Sequence, residues 1–442
     1  MSWLVVLALA PVAVVVGVVV VRQPLRVGLP LYAAVIPFGG ALSLGPSRYG
    51  SASSLLGLLV AVGVAGQLLA GRRAAARWPP AVTVWLLFLG LAMATSMWTV
   101  DRAETVRGLL VLGPLVVVFA LVACAQVDRE VVRRTENGIL MGGVAVVGYG
   151  LYQLVVLGGF FSDRPGGGVE EGGRFGNGML GPNIQSVTLL LPLALALQRA
   201  VVEPRRATRL ASLGVAALAL LGILMTGSRT GSLGAAVVLL GLILTSPRGT
   251  RRRLVAALAL GVVAAGAIWV FEPLGLTERS FDSATSSSGR SDIWEVGLSA
   301  CPEMCIIGSG WGTFPEVYAD QQASVPGARV LTGDEGSYQP HNLWLLTLVE
   351  TGVVGTLLFT GGLLLGLREA LRLPAEHRGA AAASLLGLAF ALIFLSSMEF
   401  KIFWMVLLLI TLYGNLLAEE RTARGGSTRI EAPQPMTPRT PT

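Results

Sequence analysis

Residues 343–366 read LWLLTLVETGVVGTLLFTGGLLLG, twenty-four residues with one charged side chain, Glu350. About 18 consecutive apolar residues suffice to cross a bilayer as a helix, so this stretch reads as a membrane span. It is one of a series. Comparable runs occupy 3–21, 27–42, 54–70, 81–98, 108–126, 138–158, 183–198, 211–226, 232–246, 254–271, 380–397 and 402–417. The first can also lie beside the second as one broken unit. The sequence therefore predicts an all-α polytopic membrane protein of about 12–13 transmembrane helices, a single membrane domain over 1–423. The tail 424–442 is rich in Gly, Ser, Thr, Pro and Arg, with little to bury, and is expected to be disordered.

Composition points the same way. Of 442 residues, 53% are hydrophobic and 13% charged, and the mean hydropathy is +0.69. Soluble domains carry about 25% charged residues, so a soluble enzyme or a nucleic-acid-binding domain is excluded. The 56 glycines suit close helix packing in lipid. One lysine, Lys401, stands against 32 arginines, which reads as codon usage before function. Three cysteines are too few for a disulfide framework. Met1-Ser2-Trp3 offers no basic stretch and no small-residue cleavage site follows, so no cleaved signal peptide is expected.

The net charge of +7 and pI of 9.8 resolve into topology. With alternate loops assigned to one side, 23 of the 33 Lys and Arg residues fall together, in the loops around Arg22, Arg72, Arg129, Arg199, Arg251 and Arg372 and in the tail. Such a bias marks that side as cytoplasmic. No nucleic-acid partner is implied. The N-terminus is then outside, as are two long loops, a Gly-rich one at 159–182 and one at 272–340 that is long enough for a small helical cap.

Polar residues at the membrane edge are costly and therefore informative, and four clusters lie on the outer side. Pro340-His341-Asn342 precedes the span at 343. There His341 is expected in the first helical turn, sharing a face with Gly352 and Gly355, with Glu350 opposite. The positive end of the helix dipole favours neutral imidazole, the proton-accepting form; the alternative is an interfacial histidine capping a helix. Thr226-Gly-Ser228-Arg229-Thr-Gly-Ser232 is a tight polar turn in which Arg229 is either an anion clamp or a snorkelling interfacial arginine. Arg174 to Asn183 leads through Gly-Pro-Asn into a span, an ordinary helix-start signal, and Arg174 offers a second phosphate contact. The stretch from Ser288 through Arg290 and Trp294 opens an amphipathic helix in which Trp294, Leu298, Cys301 and Cys305 recur, with Arg290 able to reach inward. Cys301 and Cys305 are candidates for a disulfide. Trp311, Phe314, Tyr318, Tyr338 and Trp344 read as an interface belt.

No outward Asp-x-Asp pair, no phosphate-binding glycine loop and no metal-ligand cluster is present in the sequence, so neither a metal nor another cofactor is expected. Carboxylates within the spans are scarce, Glu350 being the main one, which argues against an ion-coupled transporter.

His341-Asn342, nine residues, then Gly352-Val-Val-Gly355 resembles the histidine motif of the O-antigen ligase and polymerase superfamily. Arg229 followed by Leu233 resembles its arginine motif, and 174–183 and 290–314 are similar to its weaker blocks, all in order over about 170–365. Ligases of that family usually have twelve spans, one fewer than the count of thirteen made here. The resemblance implies a GT-C-like glycosyltransferase of the bacterial plasma (inner) membrane with its active site at the outer face. The donor would be a glycan on a polyprenyl diphosphate and the acceptor a lipid or glycan hydroxyl, with membrane lipids around. His341, Arg229 and Arg290 would be catalytic, and Arg174, Asn183, Ser228 and Asn342 would bind substrate. A polymerase of lipid-linked repeat units and a protein O-glycosylating enzyme are rivals within the superfamily. A transporter or flippase of the same lipid is a rival of another class.

Overall fold

The computed structural model describes residues 3–39, 42, 51–71, 77–160, 174–176, 181–247, 249, 251–252, 255, 290–326, 339–396 and 398–427. Regular structure among them is helical: α1 Trp3–Arg22, α2 Leu29–Val35, α3 Ala52–Leu69, α4 Pro80–Ala94, α5 Arg102–Ala123, α6 Arg129–Val156, α7 Pro182–Thr188 and α8 Leu190–Val202. Then follow α9 Arg206–Met225, α10 Arg229–Thr245, α11 Arg290–Ser299, α12 Cys301–Met304, α13 Phe314–Gln321, α14 Leu343–Arg372, α15 Ala375–Ala391 and α16 Lys401–Ser427. Starts are set by short polar side chains that take the first free backbone N–H groups: Ser51 for α3, Asp101 for α5, Asp128 for α6, Ser228 for α10 and Asn342 for α14. The protein is an all-α polytopic membrane protein. Among the described residues eight helices are long and apolar enough to cross a membrane, or nine if one bent pair is a span. The expected span at 254–271 lies outside the described residues except for Val255. Those at 232–246 and 380–397 correspond to the shorter α10 and α15. Helix α16 runs on to Ser427, into the expected tail, whose remainder is outside the described residues.

The bent pair is α1 and the Pro24–Phe38 segment, which turn by 118°. Here Gln67 Nε2 donates to Arg22 O at 3.0 Å, and Arg26 pairs with Asp128 at 2.9 Å. The turn therefore shares an end with the start of α6. The same end is fastened by half-buried ion pairs. Arg199 bonds Glu136 at 2.6 Å and Asn137 at 2.7 Å, Tyr413 donates to Glu136 and stacks on His377 at 4.3 Å, and Arg77 pairs with Glu369 while donating to Asn415 Oδ1 at 2.7 Å. Asn415 in turn donates to Ala123 O at 2.7 Å. Glu136 and Glu369 lie just outside the predicted spans 138–158 and 343–366, on the continuations of α6 and α14. Each is tolerated because an arginine neutralises it.

Helix α14 departs most from expectation. Gly352 has φ +69° and ψ −173°, which breaks the helix. Trp344 and Phe359 are fifteen residues apart, about 22 Å along an unbroken helix, yet their ring centroids lie 5.4 Å apart. The arm 343–351 thus folds back against the arm 353–372, and the predicted continuous span at 343–366 is two pieces. A Cβ at residue 352 would strike Ile306 O and the Ile307 carbonyl carbon. Glycine meets both the dihedral and the space.

Helices α10 and α15 pack antiparallel and closely. A Cβ at Gly241 would lie 3.0 Å from Ala383 Cα, and one at Gly387 would lie 3.2 Å from Gly234 O. Small residues allow this approach. Extending the register puts the first turn of α10 level with Leu392, just past α15.

Candidate functional site

The turn between α9 and α10 is built from its own hydroxyls. Thr226 Oγ1 donates to Ile223 O at 2.6 Å and accepts from Ser228 N–H at 3.2 Å, and Ser228 Oγ accepts from Gly231 N–H at 3.2 Å. Gly227 takes φ +56°, and its open Cα face receives the Arg174 side chain, with Nε 3.4 Å from where a Cβ would stand. Arg174 Nε donates to Thr226 O at 2.7 Å and Nη2 to Asn183 Oδ1 at 2.9 Å. Phe175 N–H donates to Met225 O at 3.1 Å, while its buried ring sits over Gly150 of α6 and packs on Phe160. Arg174 and Asn183 therefore meet at the turn that carries Ser228, and Arg229 is the next residue. Ser228 is buried, and Arg174 and Arg229 are exposed residues.

His341 is half-buried and has φ +48°, a left-handed conformation rare outside glycine. It precedes the cap residue Asn342, so it stands just outside the helix and not in its opening turn as expected. The shared face with Gly352 and Gly355 is also lost, because the helix breaks at Gly352. Three hydrogen bonds hold the turn: Asn342 N–H to Ser396 Oγ at 3.1 Å, Leu343 N–H to Leu392 O at 2.9 Å, and Trp294 Nε1–H to Pro340 O at 2.6 Å. Asn342 Oδ1 accepts from Leu345 N–H at 3.1 Å and is committed to capping. Leu392 and Ser396 tie His341 to the end of α15, level with the first turn of α10 that bears Arg229. Arg290 opens α11 one turn before Trp294.

The sequence did not foretell how the loop after α12 closes the broken helix. Ser309 and Gly310 N–H groups donate to the carbonyls of Val349 and Glu350 at 2.9 and 3.0 Å, and Val353 N–H donates to Cys305 O at 2.9 Å. Backbone freed by a break in an apolar environment is satisfied in this way by neighbouring protein. Glu350, fully buried, accepts at Oε1 from Phe314 N–H at 3.1 Å. Gly308, Gly310 and Gly312 all have positive φ, so the alternate glycines of this stretch were the available signal. Trp311, Phe314 and Tyr318 are buried in this loop. That corrects the interface-belt reading for those three, since the folded cap covers them; Trp344 is half-buried and Tyr338 lies outside the described residues. Cys301 and Cys305 are joined as a disulfide. Among the described residues no cluster of metal-ligating side chains occurs.

The profile of the O-antigen ligase family matches residues 214–360. This stretch is similar to O-antigen ligase domains. It contains the Arg229 turn, α11 with Arg290 and Trp294, the glycine loop and the His341 turn, while Arg174 and Asn183 precede it. The exopolysaccharide production protein ExoQ of Rhizobium meliloti (strain 1021) is 25% identical over 286 residues. The alignment covers 63% of this chain and 62% of ExoQ, so less than two thirds of that relative is matched. Within the matched stretch, His341 and the cap residue Asn342 immediately precede the folded-back arm 343–351.

Proposed function

We propose that this protein transfers a glycan from a polyprenyl diphosphate carrier to an acceptor hydroxyl at the outer face of the bacterial plasma membrane. Two observations support this reading: the His341 turn is held to Leu392 and Ser396 just past α15, and Arg174 is tethered to the turn that precedes Arg229. The acceptor oxygen attacks the anomeric carbon, and the bond from that carbon to the diphosphate oxygen breaks with its electron pair going to the diphosphate. The hydroxyl proton passes to His341, and the configuration inverts. Arg229, Arg174 and Arg290 offset the charge growing on the leaving diphosphate, an effect strongest where water is sparse. Ser228 and Asn183 orient this cluster, and Asn342 fixes the turn. The carrier's isoprenoid chain stays among the membrane lipids.

The outward placement rests on the arginine bias of the loops and on the Cys301–Cys305 disulfide, a bond that persists in oxidising compartments. The ion pairs that close the basic end favour transfer at one face over passage across the bilayer. The test is a deletion strain complemented with wild type or His341→Ala. Loss of surface glycan with carrier-linked polymer accumulating identifies a ligase, and accumulation of single carrier-linked units identifies a polymerase. Restoration of wild-type surface glycan by His341→Ala refutes the reading.

A further inference from the structure

Lys401 is the chain's one lysine, and it opens α16 where that helix meets the start of α3. Its side chain is mostly buried. Nζ donates to Ser51 Oγ at 3.3 Å, and Ser51 Oγ lies 3.1 Å from Ser53 Oγ and 2.9 Å from Ser54 Oγ. Ser51 and Ser53 are buried. Two other mostly buried cations, Arg77 and Arg199, each have a carboxylate against them. Lys401 differs. Among the described residues its one hydrogen-bond partner is the Ser51 hydroxyl, and no charged group bears on it. Glu399, two residues earlier, is exposed, and no ion pair joins the two.

A cation withdrawn from water without a counterion is costly, and more so within a membrane. An ammonium set among hydroxyls is a donor array without an anion, and phosphate oxygens are acceptors that suit it. The location bears on the reaction. Lys401 follows Ser396, which holds Asn342, by five residues. Phe403, in the first turn of α16, stacks on Phe359, the ring against which Trp344 folds back. Lys401 thus heads the helix that follows the segment holding the His341 turn and packs on the ring against which that segment's arm folds back.

Resting on the function proposed above, we propose that Lys401 with Ser51 and Ser54 binds the phosphate of a second lipid, distinct from the one whose diphosphate the arginines hold. The phosphate belongs either to a carrier-linked acceptor or to a bilayer phospholipid, and the two sources are separable. The full-length protein in phosphatidylcholine nanodiscs would be titrated with radiolabelled polyprenyl phosphate. Wild type should bind two molecules per chain, and Lys401→Met and Arg229→Met one each. Lys401→Arg should recover the second molecule within about tenfold in affinity. Unchanged stoichiometry in Lys401→Met overturns the proposal. Unchanged stoichiometry in Arg229→Met instead overturns the donor site of the proposed function. Recovery of binding in Lys401→Arg shows that loss in Lys401→Met is not misfolding, and failure of Lys401→Arg to recover it, with a wild-type melting temperature, overturns the charge-based site. In phosphatidylglycerol nanodiscs, retained binding at Lys401 assigns the site to the carrier lipid, and its competitive loss assigns it to a phospholipid headgroup.

Discussion

Replacing Gly352 by alanine tests the folded-back arm directly. A residue other than glycine at φ +69° and ψ −173° costs about 1–3 kcal/mol. The new Cβ would also overlap Ile306 O and the Ile307 carbonyl carbon, and forcing such groups apart costs about 1–3 kcal/mol. The sum, about 2–6 kcal/mol, corresponds to a fall in melting temperature of roughly 2–6 °C for a chain of this length. Function should suffer more than stability, because relief of the overlap moves the arm that begins at His341. A displacement near 1 Å at a reacting group costs about 100-fold in rate. Gly361, in the second arm of the same helix, is the control, since a Cβ there meets no atom. Gly361→Ala should be neutral or stabilising by up to about 1 kcal/mol. The assays are thermal melting of the purified protein and glycan transfer in isolated membranes. If Gly352→Ala matches wild type in both, the helix is not broken there and the placement of His341 falls with it.

Arg229→Lys keeps the charge and loses the planar fork, so transfer should drop about tenfold or more, and Arg229→Gln should drop it further. A Lys variant with wild-type rates would show that the fork does not grip a diphosphate. Arg77→Ala leaves the half-buried Glu369 without its partner and should lower stability by about 1–3 kcal/mol, with the double variant Arg77→Ala, Glu369→Ala less affected; equal losses in single and double variants would refute pairing. Transfer should survive EDTA, and abolition by EDTA with rescue by a divalent ion would refute the cation set built from arginine. His341→Ala should reduce transfer by about 100-fold or more, measured in the same membranes.

Membrane character was legible because it depends only on runs of apolar residues and the side on which arginines collect. The short polar sequence at 226–232 was also legible, since its hydroxyls bond locally and need nothing distant. Arg174 was readable as a candidate, but its partner Thr226 O belongs to another helix end 52 residues away. The break at Gly352 was hidden for a physical reason. Glycine within an apolar run serves equally for close packing and for a left-handed turn, and only the loop that supplies Ser309 and Gly310 as donors decides between them. The partners of Glu136 and Glu369 were not legible, because Arg199 and Arg77 come from distant parts of the chain.

The half-buried pairs Arg199–Glu136 and Arg77–Glu369 act as a clasp. A bundle clasped at one rim spreads more easily at the other, in the manner of a clothes peg. Under the proposed function, a long hydrocarbon tail would enter sideways between helices from the bilayer at the unclasped rim.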